Sequence, residues 1–202
     1  MQTLLKLSKA VDWISSLIGR NVVWLILASV LISAINAIVR KAFNVSSNAY
    51  LEVQWYLFSA SFLLASAFTL LNGEHVKIDV FYSRWSKRGQ TWIDIFGFTV
   101  FLIPMCSAIL WFSAPFVIKG YLSAEMSSNA GGLIRWPVYA MLPLGFGLLL
   151  AQAVSELIKR VAFLMGLIED PTHRKLEKTS EEELAEVIQK LAEEKAAKAG
   201  TA

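Results

Sequence analysis

VVWLILASVLISAINAIV, residues 22–39, holds no charged side chain. A hydrocarbon core of about 30 Å is crossed by roughly 20 mostly apolar residues in helical form, so this stretch reads as a membrane span. Three more blocks follow it. Residues 53–71 (VQWYLFSASFLLASAFTLL) are free of charge, residues 93–118 carry only Asp94 near their start, and residues 136–155 open on Trp136-Pro137 and close before Glu156, Lys159 and Arg160. Proline suits that opening, because the first helical turn has no use for the missing N–H.

Composition agrees: 55% of residues are hydrophobic, 17% are charged and the mean hydropathy is +0.51, more apolar mass than water-soluble domains carry. The expected fold is an all-α membrane protein. It has four transmembrane helices, an in-plane amphipathic helix after the second span, and a short cytoplasmic C-terminal helix. Residues 1–168 form the membrane domain and residues 169–202 a polar tail. Lys6, Lys9 and Arg20 precede the first block much as a signal peptide's basic region would. The block is longer than a cleaved leader's apolar core and no small-x-small site follows, so it reads as a retained anchor.

Cytoplasmic flanks accumulate lysine and arginine. Lys6, Lys9 and Arg20, then Lys77, Arg84, Lys87 and Arg88, then Lys159, Arg160, Arg174 and Lys175 flank one side of the spans; Arg40, Lys41, Lys119 and Arg135 flank the other. Both termini are therefore expected in the cytoplasm. The net charge of +3 reflects this asymmetry. It is no sign of nucleic-acid binding, since no basic patch with interleaved aromatics lies in a soluble stretch. The single cysteine, Cys106, excludes a disulfide framework and reads as a packing residue.

Between the second and third blocks stands NGEHVKIDV, residues 72–80. A helix over 76–92 would gather Ile78, Phe81, Tyr82, Trp85 and Trp92 on one side and Lys77, Arg84, Lys87 and Arg88 on the other. That is the pattern of a helix at headgroup depth facing anionic lipid. His75 and Asp79 are four apart beside Glu74, but one histidine with two acids is a weak metal signal. They are expected to tie the connector to a neighbouring element. In the tail, Ser180 and Glu183 make a capping box, and Leu184, Val187, Ile188 and Leu191 follow at helical spacing, which predicts an amphipathic helix over 181–198.

Within the spans, Ser29, Ser33, Asn36 and Arg40 form a polar stripe that favours helix packing over a conduction path, and Gly147, Ala151 and Ser155 read as a close-packing face. Pro104 is expected to bend the third helix, as is Pro115. Glu52, at the mouth of the second span, lies where it can pair with Arg40 or Lys41. SSNAGGLIRWP, residues 127–137, reads as a tight outer loop, a hinge or a docking surface. No Asp, Glu, Lys, Arg or His stands near the middle of any span, whereas a transport pathway usually shows one. Taken alone the chain is a poor transporter. A channel would need more than one serine stripe, and an intramembrane enzyme would need a nucleophile–base pair that neither Cys106 nor His75 has.

Glu52-x-x-Trp55-Tyr56, Gly73-x-His75-Val76-x-Ile78-Asp79 and the four spans together resemble the small membrane (Q) subunit of tripartite ATP-independent periplasmic (TRAP) transporters. The resemblance covers roughly residues 10–168, and SSNAGGLIRWP resembles a subgroup associated with monocarboxylates, keto acids and chloroaromatic acids. It implies a non-enzymatic scaffold subunit in the bacterial inner membrane. That subunit braces a large transport (M) subunit, which carries substrate and sodium, while a soluble periplasmic binding protein delivers an organic acid. No cofactor is expected in this chain; sodium is expected in the large partner. Glu52, Trp55, Tyr56, His75 and Asp79 would be structural or subunit-contacting, and Arg40, Lys41, Asn129 and Arg135 would meet the binding protein. The alternative is a four-span assembly or scaffold protein of an unrelated membrane complex.

Overall fold

The computed structural model describes residues 1–45, 47–73 and 85–168. Their helices are α1 (Gln2–Phe43), α2 (Asn48–Asn72), α3 (Lys87–Gly97), α4 (Ile103–Leu122) and α5 (Trp136–Leu164), with a π-helical turn, Phe98–Leu102, joining α3 to α4. Four helical stretches are long and apolar enough to cross a membrane: α1, α2, α5 and the continuous run Lys87–Leu122. The tail, with its expected helix over 181–198, and most of the expected in-plane helix lie outside the described residues.

Helix ends follow local chemistry. Gly73 closes α2 in the left-handed region (φ 69°), its N–H donating to the Leu70 carbonyl at 3.1 Å. Ser86 caps α3, its hydroxyl accepting from the Gly89 N–H at 3.3 Å. This cap corrects the expected in-plane helix: Trp85 and Ser86 stand outside any helix, while Lys87, Arg88 and Trp92 belong to the third span's own helix. The π turn sits just ahead of Pro104. Proline has no N–H for the Val100 carbonyl and its ring crowds that oxygen, and the wider turn moves the bonding register so that the Ile103 N–H reaches Phe98.

α5 is the spine. It packs against α1, α2 and α4, while α1 and α2 also pack on each other. Leu70, Cys106, Leu149 and Ala153 form the buried core, flanked by Phe98, Leu102, Ile103, Phe146 and Leu150. The outward faces stay apolar, Trp111 being 78% exposed, as lipid or a partner requires. Ser29 of the polar stripe donates to the Gln54 carbonyl at 3.0 Å, binding α1 to α2.

The close-packing face of α5 is shifted from the expected one. Ala151 is exposed and Gly147 has open room beside it, whereas Gly145 presses on α2: a Cβ there would lie 2.9 Å from the Leu63 carbonyl oxygen. Ser155 of the expected face is buried, within the series Gly145, Leu149, Gln152, Ala153, Ser155, Glu156, Arg160 and Ala162. Because backbone is the obstacle, Gly145→Val should cost about 1–3 kcal/mol and lower the melting temperature of the detergent-purified protein. Gly147→Ala, whose nearest neighbour would be Leu110 at 3.9 Å, should melt as wild type.

Candidate functional site

Polar chemistry collects at the two ends of the bundle. At the end holding the loop 123–135, Glu52 is 2% exposed in the first turns of α2. Its Oε2 accepts the Leu133 N–H at 2.6 Å; its Oε1 accepts the Asn129 side-chain amide at 2.9 Å and the Ser127 hydroxyl. The loop is shaped for this grip. Met126 and Ile134 form an antiparallel bridge, and the Ser127 N–H reaches the Leu133 carbonyl at 2.8 Å. Gly131 turns the chain at φ 70°, and a Cβ on Gly132 would lie 2.9 Å from Glu52 Oε1.

Two more bonds lash α2 to the same loop. The Tyr56 hydroxyl donates to the Ile134 carbonyl at 3.1 Å, and the Asn48 amide to the Ala130 carbonyl at 2.9 Å. Trp55 packs edge-on against Tyr56, with ring centroids 4.4 Å apart. The pairing of Glu52 with Arg40 or Lys41 is not formed: both cations are exposed at the end of α1, and the carboxylate is occupied by the loop. Arg135 pairs with Glu125 at 3.6 Å, and the Tyr139 hydroxyl donates to the same carboxylate at 3.0 Å. The Tyr139 side chain, followed by Glu125, pushes the Arg135 pKa further up, so this pair keeps its cation at any working pH.

The opposite end, where α1 and α3 begin and α5 finishes, holds a network of five charges. Lys159 Nζ reaches Asp12 at 3.0 Å and also pairs with Glu156. Arg160 spans two carboxylates, Nε to Asp94 at 3.0 Å and Nη1 to Glu156 at 2.5 Å, and its guanidinium lies 4.6 Å from the centre of the Phe98 ring. Neutral groups complete it. Gln152 donates to Asp12 at 2.9 Å and accepts from the Ser15 hydroxyl at 2.8 Å, while Ser155 bonds Asp12 and Ser8. α1, α3 and α5 are thereby tied together; of these residues the sequence reading placed Ser155 on a packing face and Lys159 and Arg160 as flanking cations, and gave Ser8, Asp12, Ser15 and Gln152 no role.

Among the described residues no buried side-chain nitrogen or oxygen lacks a partner, and no three His, Cys, Asp or Glu side chains converge as a metal site would need. Such an arrangement fixes helices to one another. A family model described as the DctQ component of tripartite ATP-independent periplasmic transporters matches residues 29–163. The chain belongs to the DctQ family. Among curated proteins none matches it.

As a DctQ component it is the small membrane subunit of a TRAP transporter, a multi-pass protein from a family of transporter parts. The DctQ match contains both halves of the Glu52 clasp, but divides the charged network: Gln152, Glu156, Lys159 and Arg160 fall inside it, while Ser8, Asp12 and Ser15 lie before it. Of the expected site residues, Glu52, Tyr56, Asn129 and Arg135 meet at the clasp end, with Trp55 beside them. Arg40 and Lys41 stand exposed nearby, while Trp85, Trp92, Lys87 and Arg88 are at the other end of the DctQ bundle. His75, Asp79, Lys77, Ile78, Phe81, Tyr82 and Arg84 lie outside the described residues.

Proposed function

We propose that this DctQ subunit braces the large transport subunit of a sodium-coupled importer of an organic acid, in the bacterial inner membrane, without forming a translocation path of its own. One observation carries the reading. Among the described residues every acid buried toward the helix ends is bonded within the chain, and no Asp, Glu, Lys, Arg or His stands near the middle of a span. The outward faces of the helices are apolar and suited to a membrane neighbour. The DctQ match replaces the rival reading of a scaffold for an unrelated complex.

The lysine and arginine distribution puts the clasp end in the periplasm and both termini in the cytoplasm. There the binding protein docks on Arg40 and Lys41, whose charges are exposed, rather than on Asn129 and Arg135, which Glu52 and Glu125 already engage. SSNAGGLIRWP favours a monocarboxylate or keto acid as cargo.

Reconstitution tests this division of labour. Liposomes holding this chain and the large subunit, with binding protein outside, should take up labelled organic acid under an inward sodium gradient. Liposomes holding this chain alone should match empty ones. Uptake or ionic current through the chain alone would contradict the proposal.

A further inference from the structure

Helix α1 has 42 residues, about 63 Å at 1.5 Å per residue, roughly twice what a hydrocarbon core needs. Its first half is an arm whose inner side faces α5 through Ser8, Asp12 and Ser15. The rest of its circumference is divided in two. At 100° per residue Lys6, Lys9, Trp13 and Arg20 fall within one arc of about 60°, and all four are exposed, Trp13 by 66%. Leu4, Leu7, Ile14 and Leu17 cover the adjoining arc and are exposed too. A cationic stripe beside an apolar one, both turned away from the protein, is the signature of a helix seated at the lipid–water boundary.

The charge balance at this end points the same way. Asp12, Asp94 and Glu156, the acids described there, all bond Lys159 or Arg160. Lys6, Lys9, Arg20, Lys87 and Arg88 remain outside that network, on the surface, and Trp85 and Trp92 are exposed among them. Among the described residues the internal network thus pairs every acid at this end and leaves exposed lysines and arginines with tryptophans beside them, the composition of a headgroup-facing rim.

We propose that the N-terminal arm of α1, residues 2–21, is a binding surface for anionic phospholipid, with Lys6, Lys9 and Arg20 holding the headgroup phosphates. Lys6 to Arg20 rises about 21 Å, more than a headgroup layer is deep, so the arm meets the leaflet at an incline and the long basic side chains reach across the remainder. The inference rests on the DctQ assignment as a membrane subunit and is independent of cargo and coupling ion.

The test uses the full chain, purified, delipidated and incubated with either phosphatidylglycerol or phosphatidylcholine. Retained lipid is read by native mass spectrometry and stability by the melting temperature. Each surface cation should contribute about fivefold in affinity at low salt. Phosphatidylglycerol should be retained preferentially and raise the melting temperature, and about 0.5 M salt should remove the preference. The triple variant Lys6→Gln, Lys9→Gln, Arg20→Gln should lose most of the preference while melting as wild type in phosphatidylcholine. Equal retention of the two lipids by wild type would overturn the proposal. So would a triple variant that keeps the wild-type lipid preference; reduced co-purification of the large subunit with that variant from the native membrane would then make the arm a protein interface. Either result leaves the uptake assay, and with it the bracing role, to be judged separately.

Discussion

Arg160→Ala should be the most damaging single substitution, costing about 3–5 kcal/mol, because it removes one partner of a buried ion network and leaves the others in place. Asp94 and Glu156 lose their shared cation, and Phe98 loses the guanidinium near its ring. The salt bridge between α3 and α5 goes with it. Arg160→Lys should recover little, since an ammonium cannot reproduce a planar fork reaching two carboxylates. Melting temperature and the fraction running as a single species on size exclusion are the measurements. If Arg160→Ala melts within a degree or two of wild type, the network is not what holds this end together.

The second large effect is expected at the clasp. Glu52→Ala takes away the acceptor for the Leu133 N–H, the Asn129 amide and the Ser127 hydroxyl at once. Unmade hydrogen bonds to a charged acceptor cost about 1.5–3 kcal/mol each where water cannot replace them. The loop is partly wet, so a total of about 2–4 kcal/mol is expected. The damage should be local. Hydrogen exchange should accelerate at Leu133 and its neighbours, with the core around Cys106 little changed. Glu52→Gln should fall between, because one carboxylate oxygen becomes an amide nitrogen that donates where the loop also donates. Exchange unchanged across 127–134 in Glu52→Ala would mean that the bridge and the glycine turn suffice without the carboxylate.

These two sites were unequally legible in the sequence. The four spans were readable because lipid imposes a length and an apolar composition on each, a constraint that acts within one segment. Glu52 stood out as a charge at a helix mouth, yet its partner was misjudged. Coulomb attraction suggested Arg40 and Lys41, while the structure satisfies the carboxylate with neutral donors from a loop 75 or more residues away.

The charged network was missed for a different reason. Gln152, Glu156 and Arg160 share a helical face at four-residue spacing, but ending the span at Ser155 cut that period in two. Asp12 gave no sign of its role, because its partners come from the far end of the chain. The in-plane helix was drawn through Trp85 and Ser86 because the aromatic spacing ran on; a serine cap outweighed that pattern. Pro104 did mark a disturbance in the third helix, expressed as a π turn.

The central claim is that this DctQ chain braces a larger partner. Gentle purification of the tagged protein from its native membrane, followed by mass spectrometry and measured stoichiometry, tests it most directly. The account predicts a much larger polytopic membrane protein recovered in about equal amount. That complex should withstand the detergent that extracts it, as a stable assembly does. Recovery of the chain alone, folded and stable, from membranes that contain such a partner would contradict it.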